Sequence, residues 1–390
     1  MSTFGTCYCM DTQDIFIKNL EFIHSANLPK HVKKTALDIA NCRTNAMNGH
    51  LYQCPEKHFS VFLRNSCNNR FCPKCQYRNK ALWNDATKNL IINTDHYHLV
   101  FKLPSFCYPF ITAFYKDFVN LLFDASKKTI SKILKLSFNK DVIPGFIMVL
   151  HTHGKLNQFH PHIHVLITDG GFDKLNHKWI LSQNSLFDFY QFNSIFQIIL
   201  KKELLAFYKN HPSLGISFLD CINSNYKSFA FTSEKINDPY SIIDYFTKTI
   251  KGSNINEQNL KFEDDIVSIN TGNFSSSLSQ KNFIKRFLLH VLPVGLKTIR
   301  YFGLYSTKAK NSLAKVKNLF PDELNIYKEN TLHPEYFDQQ FDFLPYKFCP
   351  FCKKHMILIE KTLPFETPFF VLNTFGDDPP NLDFFNSIAA

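Results

Sequence analysis

The chain has 390 residues, 45% hydrophobic and 20% charged, which allows more than one domain with a buried core and excludes fibrous and disordered classes. Lysine and arginine total 44 against 33 acidic residues, so the net charge of +11 favours a polyanionic partner, nucleic acid first. No apolar run is long enough for a membrane span, and the first residues lack the features of a signal peptide. We therefore expect a cytoplasmic protein without a membrane partner, in which the 11 cysteines are thiols or metal ligands.

Cysteine and histidine side chains concentrate between residues 42 and 75. Two pairs follow the pattern C-x3-H-x13-C-x2-C, which supplies the four ligands of a tetrahedral, structural Zn²⁺ site. Spare cysteines leave a different foursome or a second ion open, and buried free thiols are the alternative. The predicted zinc ligands are Cys54, His58, Cys72 and Cys75, with Cys42 and Cys67 as further candidates.

The six arginines cluster in this cysteine-rich segment and in one later segment. Codon bias explains the scarcity of arginine but not its clustering. Basic side chains on a metal-stabilised platform suit phosphate contacts, and neighbouring aromatic rings suit base stacking. The predicted DNA-binding residues are Arg64, Arg70, Lys74 and Arg78 near the zinc ligands, and Arg286 and Arg300 in the later segment.

Two apolar segments, 145–153 and 159–171, flank a polar connection and predict a β-hairpin. Side chains two residues apart on a strand share a face, so His162 and His164 are predicted to lie side by side and hold a divalent metal ion. His160 joins them if the strand begins that early, although Pro161 favours a strand edge. The alternative is a set of satisfied core histidines.

A further strand is predicted at 96–104, where His96 and His98 are candidates for completing the metal site.

Later in the sequence, a helix is predicted to begin at Asp238-Pro239 and to stop at Gly252. Tyr245 and Lys248 lie on its polar face, and an apolar stripe faces the core. A tyrosine beside a lysine on a rigid helix suggests a nucleophile for a phosphodiester, although most helical tyrosines are packing residues. The stripe consists of Ile242, Phe246 and Ile250.

Four stretches together resemble the transposases of insertion-sequence family ninety-one, which are rolling-circle, single-strand DNA transposases of the HUH (histidine-hydrophobic-histidine) class. The resemblance spans roughly residues 20 to 355, and the last stretch is the longest and most specific. The stretches are residues 65–76 (zinc segment), 160–171 (metal motif), 245–249 (tyrosine motif) and 286–304 (C-terminal signature).

The resemblance implies that His162 and His164, with a third ligand not identified, hold Mg²⁺ or Mn²⁺, and that Tyr245 attacks the phosphate to leave a 5′-phosphotyrosine. Lys248 or Lys251 would stabilise charge on the phosphate. The zinc domain and the C-terminal signature would bind single-stranded or hairpin DNA at the ends of the element. A bacterial, nucleoid-associated location follows from such a role.

The resemblance also implies an α+β architecture: a zinc-binding DNA-recognition domain (1–88), an HUH nuclease domain on a central antiparallel sheet (89–275), a basic helical C-terminal region (276–361) and an acidic tail (362–390). The family often carries a second tyrosine four residues after the first. Thr249 stands there, which favours a single-tyrosine version, and Tyr240 is a substitute only if the helix register allows. Cys349 and Cys352, with His355 close by, are either half of another zinc site or a plain turn.

Three alternatives to the transposase interpretation remain at this level. A rolling-circle replication initiator or relaxase shares the histidine strand and the tyrosine helix but lacks the signature at 286–304. A decayed copy would be a non-catalytic, zinc-dependent DNA-binding protein. A metal-dependent hydrolase built on His151, His153 and His160 would form no covalent adduct with DNA.

Overall fold

The computed structural model describes residues 10–138, 141–154, 156–182, 188–224, 230–232, 235–236, 238–249, 257–320 and 347–361, without the side chains of Arg78, Phe231, Thr232, Lys248 and Thr249. The chain divides into two compact units. Within the described residues, unit 1 comprises 10–78 and 347–361, and unit 2 comprises the residues from Asn79 to Phe320. The segment expected to form a C-terminal region (276–361) is therefore shared by both units. The acidic tail predicted at 362–390 lies outside the described residues.

Helices and strands alternate irregularly, as in an α+β protein. The helices are α1 Thr12–Lys18, α2 Leu20–Ser25, α3 Lys30–Asn41, α4 Pro73–Lys88, α5 Tyr108–Ile111, α6 Tyr115–Ser137, α7 Phe189–Asn210, α8 Gly215–Asn223, α9 Pro239–Thr249, α10 Gln280–Leu288 and α11 Lys310–Lys317. The strands are β1 Gly49–Gln53, β2 Ser60–Arg64, β3 His96–Lys102, β4 Val142–Ile143, β5 Gly145–His153, β6 Phe159–Thr168, β7 Gly171–Asp173, β8 Lys178–Ile180, β9 Ala230–Thr232, β10 Leu260–Glu263, β11 Ile266–Thr271, β12 Phe274–Ser279, β13 Ile299–Gly303 and β14 Ile357–Lys361.

Unit 1 combines three short helices with a small antiparallel sheet of order β14-β1-β2. Helix α1 begins at Asp11, whose carboxylate accepts from the backbone of Asp14 while the Asp14 carboxylate accepts from the backbone of Asp11, a reciprocal cap. Apolar side chains from all three helices form the core. These are Ile15, Phe16, Ile23, Val32, Ala36 and Ile39, each 3% exposed or less.

Unit 2 is organised around a five-stranded antiparallel sheet of order β13-β5-β6-β3-β9. Strands β5 and β6 form the hairpin expected from the two apolar segments, and β3 is the expected neighbouring strand. One face packs on α6 and α7, where Phe101 contacts Phe192 and Phe196. Phe246 of α9 and Trp83 of α4 belong to the core on the other face, together with Val149 and Leu166. The α+β fold with its antiparallel central sheet is thus confirmed.

The C-terminal signature contributes an edge strand as well as a helix. Strand β13 pairs with β5, placing Arg300 opposite Met148, and helix α10 precedes it. Gly303 ends β13 with a φ of 56°, and a Cβ there would meet the carbonyl oxygen of Pro144 at 1.8 Å. Only glycine fits this combination of left-handed backbone and close approach. The signature therefore belongs to the central sheet of unit 2.

Among the helices that the structure describes, none combines the length and the apolar character needed to cross a membrane.

Candidate active site and metal centres

Three histidines from two neighbouring strands form a compact group in unit 2. Their ligand nitrogens lie within 4.8 Å of one another, and their side chains are buried. His162 and His164 come from β6, as period-2 alternation predicted. The third member is His151 of β5, which stands directly opposite His162 in the antiparallel register and so shares its face. We call His151, His162 and His164 the histidine triad.

His160 does not belong to this group, although it was expected to join His162 and His164. Its Nδ1 lies 2.9 Å from the hydroxyl of Tyr108, so its ring is engaged at the start of β6. The backbone carbonyl of His160 instead contacts the triad. Nδ1 of His162 lies 2.6 Å from this carbonyl oxygen and donates a hydrogen bond to it. This bond leaves the Nε2 lone pair of His162 for a metal ion.

The environment of the triad keeps its imidazoles neutral. Burial lowers the pKa of His162 to about 4, and burial together with the neighbouring histidines lowers the pKa values of His151 and His164 far below the usual range. Nε2 of His164 is buried and has no hydrogen-bond partner among the described residues. Neutral imidazoles are the form that binds a metal, so the triad fits a divalent ion.

Tyr245 stands beside the triad on α9. Its ring centroid lies 5.5 Å from that of His164 and 6.0 Å from that of His151, and its side chain is 43% exposed. The next residue, Phe246, is fully buried and anchors the helix in the core. The hydroxyl-bearing ring is therefore held at the metal-binding group and remains open to solvent. Burial of part of the ring raises the pKa of Tyr245.

Tyr240, the substitute nucleophile, is partly buried against the core of unit 2. Tyr240 precedes Tyr245 by five residues, and at about 100° per residue its side chain points about 140° away from that of Tyr245 around the helix. The side chains of Lys248 and Thr249, and residues 251 and 252, lie outside the described residues. Their expected roles stay predictions.

Two residues of β3 near the triad have roles that the sequence motifs did not predict. His98 of β3 was one of two candidates for a third ligand, but Nε2 of His98 contacts Nδ1 of His164 at 2.7 Å, so it supports a triad member. Lys102, which stands opposite His162 in the β3–β6 register, places a basic side chain on the same face. The detectable signal was period-2 alternation, since residues 98, 100 and 102 share a face.

In unit 1 the cysteines divide differently from the expected arrangement. Cys54 and His58 were paired with Cys72 and Cys75 in one site, yet the structure places them in two separate groups of four. The reason is the β1–β2 hairpin, which holds Cys54 and His58 at its turn, whereas Cys67 follows the opposite end of β2. The first group contains Cys42, Cys67, Cys72 and Cys75; the second contains Cys54, His58, Cys349 and Cys352.

The first group, the four-cysteine cluster, fits a structural zinc ion. Sγ of Cys75 lies 3.4 Å from Sγ of Cys42 and 3.6 Å from Sγ of Cys67. Four thiolates at about 2.3 Å from an ion stand roughly 3.7 Å apart, so the spacing suits a closed tetrahedral site. Hydrogen bonds from neighbouring thiols, that of Cys42 first, lower the pKa of Cys75, which favours the thiolate that zinc binds.

The predicted DNA-binding side chains differ in their surroundings. Arg64 is exposed, with its Nε bonded to Asn45, and Arg70 lies over Phe71. Lys74 pairs with Asp11 at 2.9 Å. In unit 2, Arg286 donates to the carbonyl of Leu156, and Arg300 packs 3.9 Å above the ring of Phe123. The side chain of Arg78 lies outside the described residues.

Comparisons with known proteins identify the family. Residues 15–103 match the family described as "Transposase zinc-binding domain", and residues 145–312 match the one described as "Putative transposase". The chain belongs to the transposases of insertion-sequence family ninety-one. The two matches include the four-cysteine cluster, the triad and Tyr245, so this member of the family carries both a zinc-binding domain and the transposase region.

Two relatives agree with this assignment. The chain is 26% identical over 351 residues to "Putative transposase y4qJ" of Sinorhizobium fredii, which covers 84% of this chain and 88% of that protein. It is 27% identical over 143 residues to "Transposase for insertion sequence element IS801" of Pseudomonas savastanoi pv. phaseolicola, or 36% of this chain and 34% of that protein. No solved structure matches the chain. The protein is a transposase, and DNA is its substrate.

Proposed function

We propose that this transposase nicks and rejoins single-stranded DNA through a covalent 5′-phosphotyrosine on Tyr245, with a divalent metal ion held by the histidine triad. The observation that carries the proposal is the position of the Tyr245 ring, 5.5 Å from the ring of His164 and open to solvent. A nucleophile and a metal-binding group on rigid elements, side by side, are the parts that phosphodiester transfer requires.

The metal ion, Mg²⁺ or Mn²⁺, would supply Lewis-acid polarisation of the phosphate when bound to the triad. His162 and His164 would hold it through Nε2, since their Nδ1 atoms are engaged with the His160 carbonyl and with His98. His151 completes the set from the opposite strand. Three protein ligands leave coordination positions for the phosphate oxygens, in contrast to the closed four-cysteine cluster.

Tyr245 would act as the nucleophile. In the cleavage step a bond forms between the phenolic oxygen and phosphorus, and the bond between phosphorus and the 3′ oxygen breaks. The phenol gives up a proton and the released 3′ oxygen gains one, so no proton is consumed overall. The covalent link preserves the phosphodiester energy, and attack by a 3′ hydroxyl on the phosphotyrosine rejoins a strand.

Lys102 supports this assignment from the neighbouring strand. It stands opposite His162, and its positive charge contributes to lowering the pKa of His162. A cation in this position would stabilise the negative charge that grows on the phosphate during attack. Lys248, whose side chain is not described, would have the same effect from α9. The zinc-binding domain, with the exposed Arg64, would contact the DNA backbone at single-stranded or hairpin ends.

A covalent-adduct assay tests the proposal. Purified protein, Mn²⁺ and labelled single-stranded DNA from the ends of the element are resolved on a denaturing gel. We expect a protease-sensitive shifted band for the wild type and for Tyr240→Phe, the matched control, and no shifted band for Tyr245→Phe or His151→Ala. An adduct that persists in Tyr245→Phe would exclude this nucleophile.

The other outcomes separate the alternatives. Cleavage without any adduct would favour a metal-dependent hydrolase. DNA binding without cleavage under any divalent ion would favour a non-catalytic DNA-binding protein. Adduct formation followed by strand joining between two element ends would favour a transposase cycle over that of a replication initiator or relaxase.

A further inference from the structure

Two segments far apart in the sequence meet at one end of the β1–β2 hairpin in unit 1. Sγ of Cys54 lies 3.4 Å from Sγ of Cys352, although 298 residues separate them. Nδ1 of His58 lies 3.9 Å from Sγ of Cys54, and the ligand atoms of Cys54, His58, Cys349 and Cys352 all lie within 4.8 Å of one another. Edges of this length match a tetrahedron around a single zinc ion.

Each half of this group lies on a turn that is closed by a backbone hydrogen bond to the carbonyl of its first cysteine. The amide of Lys57 donates to the carbonyl of Cys54 at 2.8 Å, and the amide of Lys353 donates to the carbonyl of Cys349 at 2.9 Å. Both lysines adopt left-handed backbone, with φ of 57° and 60°. Such a conformation is unfavourable for a side-chain-bearing residue and persists where the surroundings impose it. The two turns differ in length, because Lys57 is the third residue after Cys54 and Lys353 is the fourth after Cys349, but each presents two ligands to the same point. This convergence indicates a built metal site.

The four-cysteine cluster also has residues with left-handed backbone next to its ligands, which supports this interpretation. Arg43 directly follows Cys42 and Asn68 directly follows Cys67, and both have left-handed backbone, with φ of 58° and 51°. Four of the eight described non-glycine residues with positive φ thus adjoin a member of a four-ligand group. Backbone strain in unit 1 is concentrated where metal ligands would be held.

Among the described residues, the segment that carries Cys349 and Cys352 makes few apolar contacts with the rest of unit 1, of which the contact between the rings of Phe59 and Phe351 is one. Strand β14 follows directly, and each of its five side chains is exposed. Ile357, Leu358 and Ile359 are 46–50% exposed, so the pairing of β14 with β1 buries little apolar surface. The ion pair of Lys354 with Glu56 is also exposed, and such pairs contribute little. Bringing together segments nearly 300 residues apart therefore needs a strong local interaction.

We propose that unit 1 binds a second structural zinc ion, independent of the one in the four-cysteine cluster, through ligands from both ends of the chain: Cys54, His58, Cys349 and Cys352. This ion ties β14 to β1. Unit 2 lies in the sequence between its two ligand pairs, so the zinc-binding domain is completed only after the nuclease unit has been synthesised. The family match at residues 15–103 contains half of this site.

Zinc counting on the full-length protein tests the proposal. We use a His162→Ala background so that the triad binds no zinc, and measure zinc per chain by elemental analysis and native mass spectrometry under reducing conditions. We expect two zinc ions in this parent, two in the matched control Cys221→Ser, and one in Cys349→Ser/Cys352→Ser. One zinc ion in the parent, or two in the double variant, would overturn the proposal.

A ligand exchange keeps the test decisive if the double variant fails to fold. His58→Cys retains four ligands, so it should still bind two metal ions. After replacement of zinc by Co²⁺, the thiolate-to-cobalt absorption should rise by the contribution of one thiolate over that of the parent, from seven to eight. An unchanged absorption would show that His58 is not at a metal ion and would refute the site.

Discussion

Nε2 of His98 lies 2.7 Å from Nδ1 of His164, and this hydrogen bond joins two neighbouring strands behind the histidine triad. It fixes the orientation of the His164 ring and leaves the buried Nε2 of His164 directed away from the bond. A partner on the far nitrogen is what orients metal-binding imidazoles in general. His98 is thus a positioning residue for the triad.

Loss of this bond should weaken metal binding. We expect His98→Ala to lower the affinity of the triad for Mn²⁺ by about 10- to 100-fold. Isothermal titration with Mn²⁺ measures the affinity, and His24→Ala, a change at an exposed histidine in α2, is the control. An affinity equal to that of the wild type would show that His164 is positioned by packing alone. The adduct should form again at higher Mn²⁺ concentration, which a merely misfolded variant would not allow.

Two adjacent residues of α9 should separate stability from chemistry. Phe246 is fully buried, so Phe246→Ala should lower the free energy of unfolding of unit 2 by about 3–5 kcal/mol. Tyr245→Phe removes only a hydroxyl from a half-exposed ring and should change the free energy of unfolding by less than about 0.5 kcal/mol. Urea unfolding followed by the fluorescence of Trp83 and Trp179, both in unit 2, provides the measurement. A large loss for Tyr245→Phe would assign that ring a packing role.

Buried His96 makes the stability of unit 2 dependent on pH. Its side chain contacts the Thr94 carbonyl at 2.6 Å and the Tyr305 hydroxyl at 2.9 Å, and burial lowers its pKa to about 4. The unfolded chain takes up this proton near pH 6.5 and the folded chain only near pH 4. The contribution of neutral His96 to the free energy of unfolding is therefore complete above pH 6.5 and is lost as the pH falls from 6.5 through 4.

At pH 5 the loss from His96 should be about 2 kcal/mol relative to pH 8. Other buried histidines add to the total, so the comparison is between the wild type and His96→Gln. The variant should lose less stability than the wild type between pH 8 and pH 5, as measured by urea unfolding at both values. Equal losses would mean that His96 does not stay neutral in the folded protein.

The two groups of arginines should respond differently to substitution. Arg300 packs over Phe123 and donates to Asn120, so Arg300→Ala should lower the free energy of unfolding of unit 2 by about 1–2 kcal/mol. Arg64→Ala should leave stability unchanged and weaken single-stranded DNA binding, with the slope of log affinity against log salt reduced by about 0.7. For both variants, urea unfolding measures the stability, and salt-dependent fluorescence anisotropy measures the binding of single-stranded DNA. A reduced slope for Arg300→Ala would place that side chain at the DNA.

The sequence alone was sufficient for several features that depend on neighbours in the chain. Period-2 alternation put His162 and His164 on one face, and capping residues with an apolar stripe placed Tyr245 on a helix. The Cys-x2-Cys spacing predicted that Cys72 and Cys75 lie in one group of potential ligands, and the structure places both in the four-cysteine cluster. These inferences hold because the geometry of a strand, a helix or a tight turn is set within a few residues.

Only the tertiary structure decided which distant residues complete each site. The register between β5 and β6 selects His151 over His160, and the position of β3 assigns His98 to the support of His164. The sequence pattern had assigned Cys54, His58, Cys72 and Cys75 to one site. The β1–β2 hairpin separates these two pairs and places Cys54 beside Cys352. Strand register and long-range chain closure are properties of the packed molecule, because they depend on which surfaces bury one another and leave no mark in local periodicity.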